Sequence, residues 1–201
     1  MSTNHCFETG TVVPDLRSTD KFEALRELIR RAPVFRELNM RADVPGGFSA
    51  DVPGGFGADG FRAAFAEVVI ERERQQTTGF GHGVAVAHGR VKGVPRVLIA
   101  LGISRAGIPY DSPDGEPVHL LFVIASPPEL SLDYLQALST LVRCIHEKPD
   151  RDSLIDAASA VDIEERLRAA FSARLRRFEE PLPEGNAAFG GRGRTPRGSS
   201  G

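Results

Sequence analysis

The sequence has little of what marks the more specialised classes of protein. It holds only two cysteines, Cys6 and Cys144, far apart and outside any Cys-x-x-Cys spacing. Two such thiols build no framework of bridges and suit a reducing compartment in which both stay free. Neither sign of charge dominates: 25 Lys and Arg stand against 27 Asp and Glu, a net charge of −2. That balance gives no reason to expect a nucleic-acid surface or an acidic substrate. No apolar run reaches the ~18 residues of a membrane span. The opening "MSTNHCFETG" lacks the charged-then-apolar order of a leader. The expectation is a soluble, cytoplasmic protein with no membrane insertion.

What remains is enough for one compact domain. A chain of 201 residues can close a core of its own, and 21 glycines and 14 prolines place the modest 41% apolar content in a loop-rich frame. "TVVPDLRS" reads as a first strand or extended lead-in. "STDKFEALRELIRRA" follows as a helix capped by Ser18 or Thr19, with Phe22, Leu25, Leu28, Ile29 and Ala32 on one stripe and Pro33 at its end. "ADVPGGF" then occurs twice, at 42–48 and 50–56. Two short copies of turn chemistry make a surface insertion at about 41–60 and not a repeat fold.

A second helix, "DGFRAAFAEVVIERERQQ", places Phe61, Ala64, Phe65, Val68 and Arg72 on one face. "PRVLIALGIS" and "PVHLLFVIAS" are short and apolar almost throughout, as strands buried on both faces are, with "RAGIPYDSPDGEP" as their connection. Three helices follow: "ELSLDYLQALSTLVRCIHE" with Leu135, Leu138, Leu141, Val142 and Ile145 inward, "DRDSLIDAASA", and "VDIEERLRAAFSARLRRFEE". Strands alternating with helices predict an α/β layer fold around a mixed β-sheet, in a single domain over 11–180. The tail 181–201, with Arg192, Arg194 and Arg197, has the composition of a disordered basic segment.

The stretch with most chemistry is "TTGFGHGVAVAHGRV", 77–91. Its glycines are no phosphate loop, because no Lys-Ser/Thr follows and the chain enters a strand instead of a helix. His82 and His88 are poorly spaced for one metal, roughly 20 Å apart at ~3.3 Å per residue on a strand. No carboxylate or thiol nearby completes a ligand set. The remaining readings are a structural histidine or a nucleophile: His88 ends a narrow strand beside Gly89, and neutral imidazole is a competent phosphoryl acceptor near pH 7. His119, opening the second apolar strand, reads as a core-edge residue outside any site.

The run "ERERQQTTGFGHGVAVAHGRVKGV", then "SPDGEPVHLLFVIASP" and "YLQALSTLVR", resembles the enzyme IIA family of the fructose, mannitol and nitrogen-regulatory type. These are phosphocarriers of the bacterial phosphoenolpyruvate-dependent phosphotransferase system, and the likeness covers roughly residues 11–170. It implies a mixed β-sheet with helices on both faces and no cofactor. On its motif His88 falls at the phosphoryl-accepting histidine, Arg72 at the arginine that steadies the phosphoryl charge, and His82 at a variable position. Two departures stand out. Ala87 replaces a proline, loosening the backbone before His88. Tyr134 occupies the place of a second histidine, so a phenol, which donates a hydrogen bond but carries no positive charge at neutral pH, stands there. The implied function is acceptance of a phosphoryl group on His88 from a histidine phosphocarrier protein. The group then passes to a IIB permease domain or serves as a signal to a regulatory target. The alternative is a regulatory binding module that keeps the fold with weakened transfer. No membrane segment or second cysteine-bearing domain is seen, which favours a stand-alone, nitrogen-regulatory subunit.

Overall fold

The computed structural model describes residues 10–39, 58–92 and 94–179. The "ADVPGGF" pair and the basic tail lie outside the described residues. The chain runs β1 (Val12–Val13), α1 (Lys21–Arg31), a 3-10 turn (Pro33–Asn39), α2 (Ala58–Gln75), β2 (Gly79–Gly81), β3 (Val84–Arg90), β4 (Leu98–Ile108), β5 (Val118–Ser126), α3 (Ser131–Cys144), α4 (Lys148–Ile155) and α5 (Ala160–Glu179). The last residues of the expected insertion are therefore the first turn of α2.

The five strands form one mixed sheet in the order β1-β4-β5-β3-β2. β1 and β4 pair in parallel, as do β3 and β5, whereas β4–β5 and β2–β3 are antiparallel. β5 lies at the centre, and its residues from Leu120 to Ala125 are fully buried. That is why its sequence shows no alternation: both faces meet hydrocarbon. On one face Ala85 and Ala87 of β3 pack with Leu25, Leu28, Phe65 and Val69 of α1 and α2. On the other, Val84 and Val86 pack with Tyr134 and Leu141 of α3 and with Leu167 and Phe171 of α5. The expected sheet with helices on both faces is what the chain forms.

Three local expectations change. α1 is capped by Asp20, whose side chain accepts from the Phe22 and Glu23 amides at 2.9 and 3.0 Å. A carboxylate satisfies orphan amides and also complements the positive helix end, an advantage that Ser18 and Thr19 lack. Ser18 binds Glu27 instead, at 2.6 Å. β4 continues through "SRAGI" to Ile108, where a register irregularity against β5 lets a Gly-containing stretch stay in the sheet. α3 is rotated from the expected stripe. Leu141 and Ile145 of that stripe are buried, but with them lie Tyr134, Ala137 and Cys144, while Leu135 is 56% exposed.

β2 pairs only with the start of β3, at Ala85 and Val84. Beyond Val86, whose amide reaches Thr78 at 3.1 Å, no described strand covers the outer edge of β3. His88 and Arg90 stand along this open rim.

Candidate functional site

The glycine-rich stretch is a tight hairpin followed by a strand. His82 (φ 54°) and Gly83 (φ 75°) form the two-residue turn between β2 and β3, both in the left-handed region that this kind of hairpin requires. The His82 amide donates to Asp114 at 2.6 Å, tying the turn to the loop before β5. His82 is thus a turn residue at one end of β3, and His88 stands near the other.

Period-two alternation puts Val84, Val86, His88 and Arg90 on the α3 side of β3. His88, paired in register with Ile124, is half-buried, and its ring lies 5.5 Å from that of Tyr134 at 43°. Burial lowers the His88 pKa below its ordinary value, and the positive charge of Arg72 lowers it further. A hydrogen bond to the Val86 backbone opposes this, Arg90 adds to the depression, and Glu73 opposes it. The imidazole is therefore neutral at physiological pH, and it keeps a hydrogen bond to the Val86 backbone. Burial pushes the Tyr134 phenol up, against the pull of Arg90 and Arg72, so it stays a protonated donor.

Arg72 comes from the opposite layer. It lies in the last turn of α2, half-buried, and donates to the Gln76 carbonyl at 3.0 Å, closing the helix end. What brings it near is Gly89. A Cβ there would lie 2.8 Å from Phe65 and 2.9 Å from Val69, so only glycine admits α2 this close to β3. Arg72 sits one turn beyond Val68 and Val69 on that face, and its charge bears on His88 and Tyr134 alike.

The next residue, Glu73, locks this arrangement. Its buried carboxylate accepts from the Thr78 amide at 2.9 Å and hydroxyl at 2.5 Å, with the Lys21 ammonium 3.5 Å away. The end of α2 is thereby fixed to the strand that starts the hairpin.

Sequence reasoning named His88, Arg72 and Tyr134, and the structure brings these three to one rim. His119 lies five residues back along β5 from the His88 register, its Nδ1 2.8 Å from the Ser104 carbonyl. Two residues were missed. Glu73 was hidden among alternating charges. Arg90 was legible from the strand period, being two residues from His88. Among the described residues no group of three or more His, Cys, Asp or Glu side chains is placed to hold a metal ion. The rim thus gathers a half-buried imidazole, the ring of Tyr134 beside it and the positive charge of Arg72 within reach of both.

Residues 59–170, more than half of the chain, match the family described as phosphoenolpyruvate-dependent sugar phosphotransferase system, EIIA 2. The chain belongs to this family. Among EIIA 2 relatives, the fructose-specific EIIABC component of Bacillus subtilis is 38% identical over 98 residues, 49% of this chain but only 15% of that longer protein. A nitrogen regulatory protein of Bradyrhizobium diazoefficiens is 28% identical over 177 residues, 88% of this chain and 93% of that protein. The crystal structure of nitrogen regulatory protein IIA-Ntr from Neisseria meningitidis superposes with a TM-score of 0.64 at 26% identity, covering 82% of this chain and 97% of that one. The fold is shared too by IIA-mannitol in its complex with phosphorylated IIB-mannitol from Escherichia coli, at a TM-score of 0.58 and 14% identity over 81% and 96% of the two chains. Among the described residues no helix is long and apolar enough to cross a membrane.

Proposed function

We propose that this chain is a phosphocarrier in which His88 accepts a phosphoryl group from the phosphohistidine of a small carrier protein. The observation that carries the reading is the depressed, half-buried imidazole at an open strand edge, 5.5 Å from Tyr134 and within the field of Arg72. The donor's N–P bond breaks and its electron pair returns to the donor ring. That ring leaves as neutral imidazole when its second nitrogen carries a proton. The His88 lone pair forms the new N–P bond, and His88 keeps its own proton on the nitrogen facing Val86. Arg72 neutralises charge on the equatorial oxygens, and Tyr134 donates a hydrogen bond to one of them. The onward acceptor is a IIB domain or a regulatory target, and the donor is of the histidine-phosphocarrier type. The same reading puts the chain in the cytoplasm, a compartment that suits the free, buried thiol of Cys144.

Labelled phosphoenolpyruvate with bacterial enzyme I and histidine phosphocarrier tests this. Wild type takes up label and His88→Ala does not; equal labelling of the two ends the proposal. A second reading, regulation through binding with weakened transfer, draws support from the neutral Tyr134 beside the acceptor and from the near full-length likeness to nitrogen regulatory proteins. Tyr134→His separates the two. A rise in labelling rate of tenfold or more, roughly what one added cation supplies, marks a weakened site, and an unchanged rate marks a competent one.

A further inference from the structure

Several arginines among the described residues are occupied by carboxylates. Arg26 binds Glu67 at 3.0 Å, Arg31 binds Asp15 at 2.6 Å, Arg166 binds Asp162 at 2.7 Å and Arg174 binds Asp150 at 2.9 Å. Arg90 is different. It is exposed, on the uncovered edge of β3, and among the described residues no carboxylate lies within ion-pair distance of it. It stands two residues beyond His88 on the same face of the strand, a Cα separation of roughly 7 Å. An arginine side chain spans that gap easily. Ser126, its register partner on β5, is small and buried.

We propose that Arg90 contacts the phosphoryl group, its guanidinium donating to the oxygens carried by His88 from the strand side while Arg72 approaches from the α2 side. The inference rests on the phosphocarrier reading and extends it by naming a second cation. Two guanidiniums from different layers then bracket one imidazole, and the dianion that arrives there meets charge on both flanks. The arrangement answers the neutrality of Tyr134, since the compensating charge comes from the nucleophile's own strand. A planar fork of donors suits three phosphoryl oxygens better than a point charge does. The charge of Arg90 already acts on both His88 and Tyr134 in the free protein, so its field reaches the place where the group would sit.

The test uses the full chain, wild type, Arg90→Gln and Arg90→Lys, with enzyme I, histidine phosphocarrier and labelled phosphoenolpyruvate. Arg90 is exposed, so both variants fold. Arg90→Gln is expected to lower the maximal rate of label uptake roughly tenfold, with the KM for the phosphorylated carrier within about twofold of wild type; water screens an exposed guanidinium, so the loss is smaller than for a buried donor. Arg90→Lys recovers part of that loss. In the isolated phosphorylated protein, the pH at which the 31P resonance titrates rises by ~0.5 in Arg90→Gln, because a neighbouring cation favours the dianion. A wild-type maximal rate with an unshifted 31P titration overturns the inference. So does a change confined to KM, which would make Arg90 a docking residue for the carrier. If wild type itself takes no label, the phosphocarrier reading fails and this inference falls with it; if wild type labels and Arg90→Gln is unaffected, only the inference falls.

Discussion

At the scale of single residues the chemistry turns on the protonation state of one imidazole. A nucleophilic ring must present a lone pair, and burial with the field of Arg72 keeps the His88 pKa below its ordinary 6.5. The sign is plain: acid must go further than usual before the ring is protonated, so on the proposed reading phosphoryl uptake is expected to fall off at a lower pH than an ordinary imidazole would give. An NMR titration of His88 is expected to show a midpoint under 6.5, which moves upward but not past that value in Arg72→Gln, because burial is the larger cause and survives the substitution. A midpoint above 6.5 in the wild type would contradict the electrostatics described here. His88 and Arg72 could be read from the chain because their spacing around the glycine-rich stretch carries the resemblance, and Tyr134 because it breaks it. Glu73 could not, since a charged residue among alternating charges looks the same whether it faces water or the interior, whereas Arg90 was legible from the strand period and was passed over.

At the scale of elements, the site exists because α2 lies unusually near β3. Gly89→Ala places a methyl group within about 3 Å of Phe65 and Val69. The expected cost is ~2 kcal/mol of overpacking, a Tm lower by about 6 °C. Phosphoryl uptake falls as well, because the displaced helix end carries Arg72; a Gly89→Ala protein with unchanged Tm and rate would show that the contact is slack. α3 teaches a separate point. Its sequence offers two overlapping apolar stripes, and periodicity alone favoured the one with more leucines. The helix instead buries the stripe through Ala137 and Cys144, small side chains that let its backbone approach the sheet, and so Tyr134 turns toward His88. Leu141→Ala should therefore cost about 2–5 kcal/mol, while Leu135→Ser stays within about 0.5 kcal/mol. Chemical denaturation of both variants checks this, and a loss for Leu135→Ser as large as that for Leu141→Ala would restore the expected stripe.

At the scale of the whole molecule, strand order is what the sequence withheld. The layers followed from burial pattern and alternation, but β1–β4 and β3–β5 are parallel pairs between distant segments, and nothing local specifies such pairing. Two buried carboxylates anchor the chain's first elements onto that sheet. Glu164 of α5 accepts from the amides of Gly10, Thr11 and Val12 at 2.8, 2.8 and 3.3 Å, and Glu27 of α1 from Arg17, Ser18 and Arg31. Burial would raise the Glu27 pKa, but the Ser18 hydroxyl and amide, Arg31 and the Arg17 amide outweigh it and hold the carboxyl at about 2. Its contribution is therefore complete above the unfolded value of about 4.5 and lost as pH falls from there toward 2. The stability gap between wild type and Glu27→Gln, on the order of 2–3 kcal/mol near neutrality, should close over that window in urea titrations. A gap independent of pH would mean that packing, and not charge, is what Glu27 supplies.

The account stands or falls on where the phosphoryl group goes. Among five histidines, mass spectrometry of the labelled protein, digested under alkaline conditions that preserve phosphohistidine, is predicted to place an acid-labile phosphate on His88 alone. Phosphate on His82, His119 or His146 instead, or an acid-stable phosphate on a hydroxyl, would contradict it.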